Sequence, residues 1–154
     1  MVWISRAMQL ILQFDDPRWK LAERKVAAQV KAAVALITAD YECDTDVLTI
    51  KFADDHAVQA LNAQFRGKNK PTNVLSFPDD DRPLGDMILA YETVMREAAE
   101  QQKLFLHHVL HLVIHGTLHL LGYDHEENQQ AEEMEALEIT CLAKLGIANP
   151  YIAR

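Results

Sequence analysis

Three histidines, His115, His119 and His125, fall within eleven residues in the spacing H-x3-H-x5-H. His115 and His119 are four apart, so on a helix they share one face, a turn apart. Their ring nitrogens can then converge on one ion. Six residues further along a continuous helix, His125 would lie roughly 9 Å up the axis. Zn–N bonds are about 2.0–2.1 Å, so the chain must stop and turn back for His125 to join. Gly122 stands where that stop is needed, because glycine takes the left-handed conformation that ends helices. A helix that is merely rich in histidine would need no such stop. The pattern predicts a three-histidine transition-metal site, zinc first by ligand type, with a fourth position open for water or substrate.

Other side chains are candidates for the same site. His108, His111, His115 and His119 fall in one narrow arc of a helical wheel. His111 is a candidate fourth ligand, proton-transfer group, or partner to ligands and substrate. Asp124 could orient a ligand imidazole by accepting its other N–H, or could simply form a turn. Arg66 could hold a phosphate and stabilise transition-state charge, although an arginine in that setting is more often just solvated. Asp86 either caps a strand end or faces the site. His56 and His107 carry no such signal.

These residues need elements to position them. Met8 to Phe14 reads as a strand, and Asp15-Asp16-Pro17 as a turn into a helix. Trp19 to about Ile37 is predicted to be one amphipathic helix with Leu21, Val26, Val30, Ala33 and Val34 inward. Asp46 to Phe52 reads as a second strand, followed by a helix capped by Asp54 or Asp55 and running through Phe65. Val74 to Phe77 is a short strand, Pro78 to Pro83 a loop, and Leu84 to Ala90 a fourth strand. Helices follow over about Tyr91–Gln102, Leu104–Leu121 and Asn128–Leu145, the last ended by Gly146. The helix bearing the histidines is apolar over most of its remaining circumference, which predicts burial with one polar stripe opening onto a cleft. The expected fold is α+β: a single domain over residues 1–154, with a four-stranded mixed sheet packed on about five helices and the histidine helix in the core.

Composition agrees. The chain of 154 residues is 49% apolar and 25% charged, ordinary for a globular domain that buries a core. No apolar run reaches the roughly 18–20 residues of a membrane helix, and the N-terminus lacks a signal-peptide pattern. Cys43 and Cys141 are far apart and read as buried free thiols in a reducing compartment, so a cytoplasmic location is expected. The net charge of −8 argues against indiscriminate polyanion binding, but it is unevenly spread. Arg66-Gly-Lys68-Asn-Lys70 puts three cations in five residues, whereas Gly122 to Gly146 holds seven acids and one lysine. Lys68 and Lys70 are therefore candidate substrate contacts, and RNA is not excluded.

The spacing H-G-x-x-H-x-x-G-x-x-H is similar to that of the metzincin proteases, with Gly116 in place of their general-base glutamate. The metal cup is kept and proteolysis is put in doubt. The same stretch, His115-Gly-Thr-Leu-His119-Leu-Leu-Gly122-Tyr-Asp-His125, resembles the signature of the bacterial YbeY family. These are rRNA maturation factors described as single-strand-specific, metal-dependent endoribonucleases. Leu61-Asn-Ala-Gln-Phe65-Arg66, Pro71-Thr-Asn-Val-Leu-Ser-Phe-Pro78 and Leu84-Gly85-Asp86 are similar to other blocks of that family. The resemblance spans about residues 61–128 and leaves the N-terminal third without a signature.

It implies one zinc per chain on His115, His119 and His125, and a functional Arg66. It also implies processing of the 16S rRNA 3′ end and ribosome quality control, with single-stranded rRNA and ribosomal components as partners. On that basis zinc would lower the pKa of water towards about 7 or polarise a phosphate oxygen. Arg66 and Lys68 would neutralise the scissile phosphate, and His111 would be the proton donor or acceptor. Phe77 or Tyr123 would be the stacking groups for a single strand. Two other functions keep the metal cup: a zinc hydrolase of peptides or small molecules, and a ribosome assembly factor whose metal is mainly structural. The oligomeric state is left open.

Overall fold

The computed structural model describes residues 8–41, 46–79, 84–123 and 127–152. Four strands, β1 (Gln9–Phe14), β2 (Val47–Ala53), β3 (Val74–Pro78) and β4 (Gly85–Ala90), form one sheet in the order β1-β2-β4-β3. β1 pairs parallel with β2 and β2 with β4, whereas β3 returns antiparallel on β4. The sheet is mixed and the fold is α+β. Among the described residues there are six helices, the first a single turn.

Strand alternation assigns the faces. Met87 and Leu89 of β4 point into the main core, while Ile88 and Ala90 pack with Leu75 and Val58 in a smaller one. α3 (Asp55–Arg66) covers the smaller core and contacts β3 and β4. α5 (Phe105–Leu120) lies against β3 and touches α2 (Glu23–Thr38), α4 (Tyr91–Glu100) and α6 (Asn128–Lys144). Ten of its sixteen residues are buried, which accounts for its apolar circumference.

The helix expected over Trp19–Ile37 is two helices. α1 (Pro17–Lys20) has Asp16 as N-cap, accepting from the Arg18 amide, and Pro17 in its first turn. Trp19 is fully buried against Phe52, Tyr91 and Phe105 and donates Nε1–H to Ala53 O at 2.8 Å. A turn at Leu21 and Ala22 separates this anchor from α2, and Leu21, expected inward, is 91% exposed. Trp19 fits the apolar spacing of α2, so periodicity alone could not see the break.

α5 ends as its sequence requires. Gly122 has φ +104, and the amides of Gly122 and Tyr123 bond to His119 O and Leu118 O, each at 3.0 Å. This is the Schellman pattern, with the left-handed residue just past the helix.

Candidate metal centre and its cleft

A cleft of about 1040 Å³ opens between β3, the loop after α3, and one side of α5. His108, His111, His115 and His119 all line it, so the single arc of histidines does face a cavity. Arg66, Lys68 and Lys70 line it from the α3 side. α3 is capped by Asp54, which accepts from the Ala57 amide at 2.8 Å, and the helix ends at Gly67. Buried Asn62 donates Nδ2–H to Lys70 O at 2.8 Å, pinning the basic loop to the helix. Arg66 donates Nη2–H to Ser76 O at 3.1 Å, and its guanidinium lies 5.9 Å from the Phe77 ring centre. The exposed cation is thus tethered at the cleft edge by β3.

The geometry of His115 and His119 is specific. Their Nε2 atoms are 3.0 Å apart. His119 donates Nδ1–H to Tyr123 O at 3.0 Å, and a carbonyl can only accept, so Nδ1 carries the proton. His115 donates Nδ1–H to Glu138 Oε1 at 3.3 Å. In their neutral forms both rings then turn an unprotonated Nε2 lone pair towards the other. Two lone pairs this close repel unless a cation lies between them. A span of 3.0 Å suits two nitrogens each about 2.0–2.1 Å from one ion. The donor set fits zinc by ligand type and by orientation.

His125 and Asp124 lie outside the described residues. Among the described residues no group of three His, Cys, Asp or Glu side chains completes a metal cluster. Asp86 is exposed on β4, between Gly85 and Met87 and in register with Phe77. Since Met87 points into the main core beneath α5, alternation turns Asp86 to the opposite face, away from the histidines. Phe77 shares that face, packing on Phe65, and neither residue lines the cleft. Tyr123 does line it, with its hydroxyl 2.6 Å from that of Tyr41. His56 is exposed and His107 half-buried.

His111 donates Nε2–H to Glu138 Oε1 at 2.7 Å, and Tyr151 donates its hydroxyl to the same oxygen at 3.0 Å. Glu138 is fully buried on α6 and was not singled out from the sequence. Burial alone would raise its pKa, but the hydrogen bonds from His111 and His115 more than offset this and hold it at about 2. Burial and the adjacent Glu138 carboxylate push the Tyr151 hydroxyl up. A signal was present: Met134, Glu138, Cys141 and Leu142 form the buried stripe of α6, and a lone carboxylate there requires partners. A second carboxylate–histidine pair lies nearer the start of α5, where buried His108 meets Glu97 at 2.9 Å and Asn73 donates to the same Glu97 oxygen at 3.0 Å. Burial pushes the His108 pKa down.

Gly116 stands where the protease pattern has its glutamate, and it faces the sheet. A Cβ at this position would come within 2.6 Å of Met87 Cε and 3.0 Å of Ser76 Oγ. This side of α5 is pressed on the sheet, so a larger side chain would have to displace the Met87 thioether and the Ser76 hydroxyl.

A histidine pair converging beside a tethered cationic rim suits the cleavage of an anionic ester, and comparison with known proteins gives the class. The family model described as Endoribonuclease YbeY matches residues 12–146. An Endoribonuclease YbeY from Magnetococcus marinus is 55% identical over 121 residues, covering 68% of this chain and 82% of that protein. One from Paramagnetospirillum magneticum is 46% identical over 157 residues, covering 94% and 96%. The solution structure of TM1509 from Thermotoga maritima superposes with a TM-score of 0.58 at 26% identity, covering 90% of this chain and 92% of the other. The class is that of nucleases hydrolysing phosphodiester bonds. Within it, the chain belongs to the Endoribonuclease YbeY family.

Proposed function

We propose that this chain is a zinc-dependent endoribonuclease that cuts single-stranded RNA, acting in maturation of the 16S rRNA 3′ end and in ribosome quality control. Its partners in this reading are single-stranded rRNA and ribosomal components in the cytoplasm. The observation that carries the reading is the convergence of the His115 and His119 Nε2 lone pairs at 3.0 Å in the same cleft as Arg66. His125 is proposed as the third ligand on its spacing from His119 in the sequence. Zinc, when bound, supplies Lewis-acid chemistry that polarises a phosphate oxygen and acidifies water.

The protein's own groups do the rest. Arg66 presents a guanidinium fork to the scissile phosphate, and its bond to Ser76 O keeps it at the cleft edge. Lys68 and Lys70 neutralise neighbouring phosphates along the same rim. His111 holds a proton at Nε2 against Glu138 beside the histidine pair, and this supports its proposed role as proton donor or acceptor. Asp124, beside His125, is proposed to orient a ligand ring. Asp86 has no part in this reading because it faces the other side of the sheet.

The test is cleavage of end-labelled single-stranded rRNA fragments by zinc-loaded protein, beside identically purified His119→Ala and Arg66→Glu variants and a duplex control. The expected result is cutting of the single strand by the wild type alone, stopped by chelator. Equal cutting in all lanes, or none in any, contradicts the reading. In the second case a structural metal in an assembly factor becomes the better account.

A further inference from the structure

Glu138 is fully buried, yet it receives three donors on one oxygen. Two come from α5, four residues apart, and the third from Tyr151 in the segment after α6. Nothing about core packing calls for a carboxylate here. Its helical neighbours along the buried stripe, Met134 and Leu142, are apolar. Burying a carboxylate is costly unless donors compensate, so an apolar residue would be the simpler occupant. Its second oxygen, Oε2, is buried with no partner among the described residues. All of the hydrogen bonding is thus concentrated on the side that faces the histidines.

We propose that Glu138 is a positioning residue that holds His115 in the tautomer and orientation its part in the metal site requires, with His111 and Tyr151 locking the same oxygen in place. The proposal rests on the zinc reading above for its purpose, but its geometry does not depend on that reading. An imidazole takes the tautomer its hydrogen bonds select. With an acceptor at Nδ1, His115 keeps its proton there and presents Nε2 bare towards His119. Tyr123 O does the same for His119. The two ligands are therefore set by two different acceptors, one a side chain from α6 and one the backbone just past Gly122. Tyr151, packed edge-on against His111 at 5.4 Å, extends the arrangement to the chain after α6.

The experiment compares full-length wild type with Glu138→Met, which keeps the length of the side chain, matches the apolar stripe of α6 and removes the acceptor for His115 Nδ1–H. Imidazole ¹⁵N shifts in metal-free protein report the tautomer of each histidine, and competition with a chromophoric chelator reports zinc affinity. The expected result is that His115 loses its single Nδ1–H tautomer while His119, held by Tyr123 O, keeps its own. Zinc affinity should fall about 10–100-fold, the usual cost of losing such a partner. A merely structural role would lower stability without this selective change at one ring. An unchanged His115 tautomer overturns the proposal. Should Glu138→Met fail to fold, Glu138→Asp decides, since it keeps the charge and withdraws the oxygen by one methylene. The same selective change at His115 is expected there, and wild-type behaviour overturns the proposal. If the wild type itself binds no zinc, the zinc reading falls, while the metal-free tautomer comparison still decides the role of Glu138.

Discussion

Replacing Gly122 by alanine should damage stability and the metal centre together. Gly122 has φ +104, and a Cβ built there would meet nothing within 4 Å among the described residues, so the cost is that of backbone strain. Placing an L-residue in the left-handed region costs about 1–2 kcal/mol. For a chain of this size each kcal/mol lowers Tm by about 2–4 °C, which gives a loss of about 2–8 °C. Relief of the strain must move Tyr123, whose carbonyl orients His119 and whose amide caps Leu118. Zinc affinity should therefore fall as well. Gly67→Ala is the matched control, with φ +67 and equally open surroundings but no bond to either histidine. It should lower Tm by a similar amount and leave zinc affinity unchanged. The assays are thermal unfolding by circular dichroism and chelator competition. If Gly122→Ala melts like the wild type, or if both variants lose zinc equally, the coupling of the helix stop to His119 is refuted.

Gly116→Glu, which restores the protease-like pattern, should drive the side chain into Met87 and Ser76 and destabilise by about 1–3 kcal/mol without peptidase activity; urea denaturation and a labelled peptide check both parts. Trp19→Phe should cost about 2–4 kcal/mol, because it leaves Ala53 O without its buried donor and opens a gap among four rings; the shift in urea midpoint reads it. His108 gives a pH dependence. Its folded pKa lies below the ordinary value of 6.5, so below that pH the unfolded chain takes a proton the folded chain refuses, and stability falls as pH drops through the window between the two values. His108→Gln should flatten that fall by up to about 1.4 kcal/mol per pH unit within the window, and an unchanged slope between pH 7.5 and 5.5 in denaturation experiments contradicts it.

Much of this molecule was legible because local rules and tertiary structure agree. The strands emerged within a residue or two from apolar runs and turn residues. The extent of α5 and its stop at Gly122 followed from spacing and glycine geometry. The stripe from His108 to His119 was visible because helical period alone places it. Other features depend on which element meets which. Trp19 reads as part of α2 until the sheet edge at Ala53 claims its indole N–H. Asp86 is a candidate by sequence, and only the register of β4 with β3 turns it away from the cleft. Glu138 sits 23 residues from His115 in sequence, and the pairing exists only once α6 docks on α5. A carboxylate on an apolar stripe is a sign of a buried partner, and it does not name the partner.

The most direct test of the metal site is a crystal structure of the zinc-loaded protein with anomalous data collected across the zinc edge. One zinc is expected between His115 and His119, bonded through Nε2 of each at about 2.0–2.1 Å, with His125 as the third protein ligand. A zinc bound through Nδ1 of either ring, or an ion found elsewhere with the pair empty, would contradict the site built here.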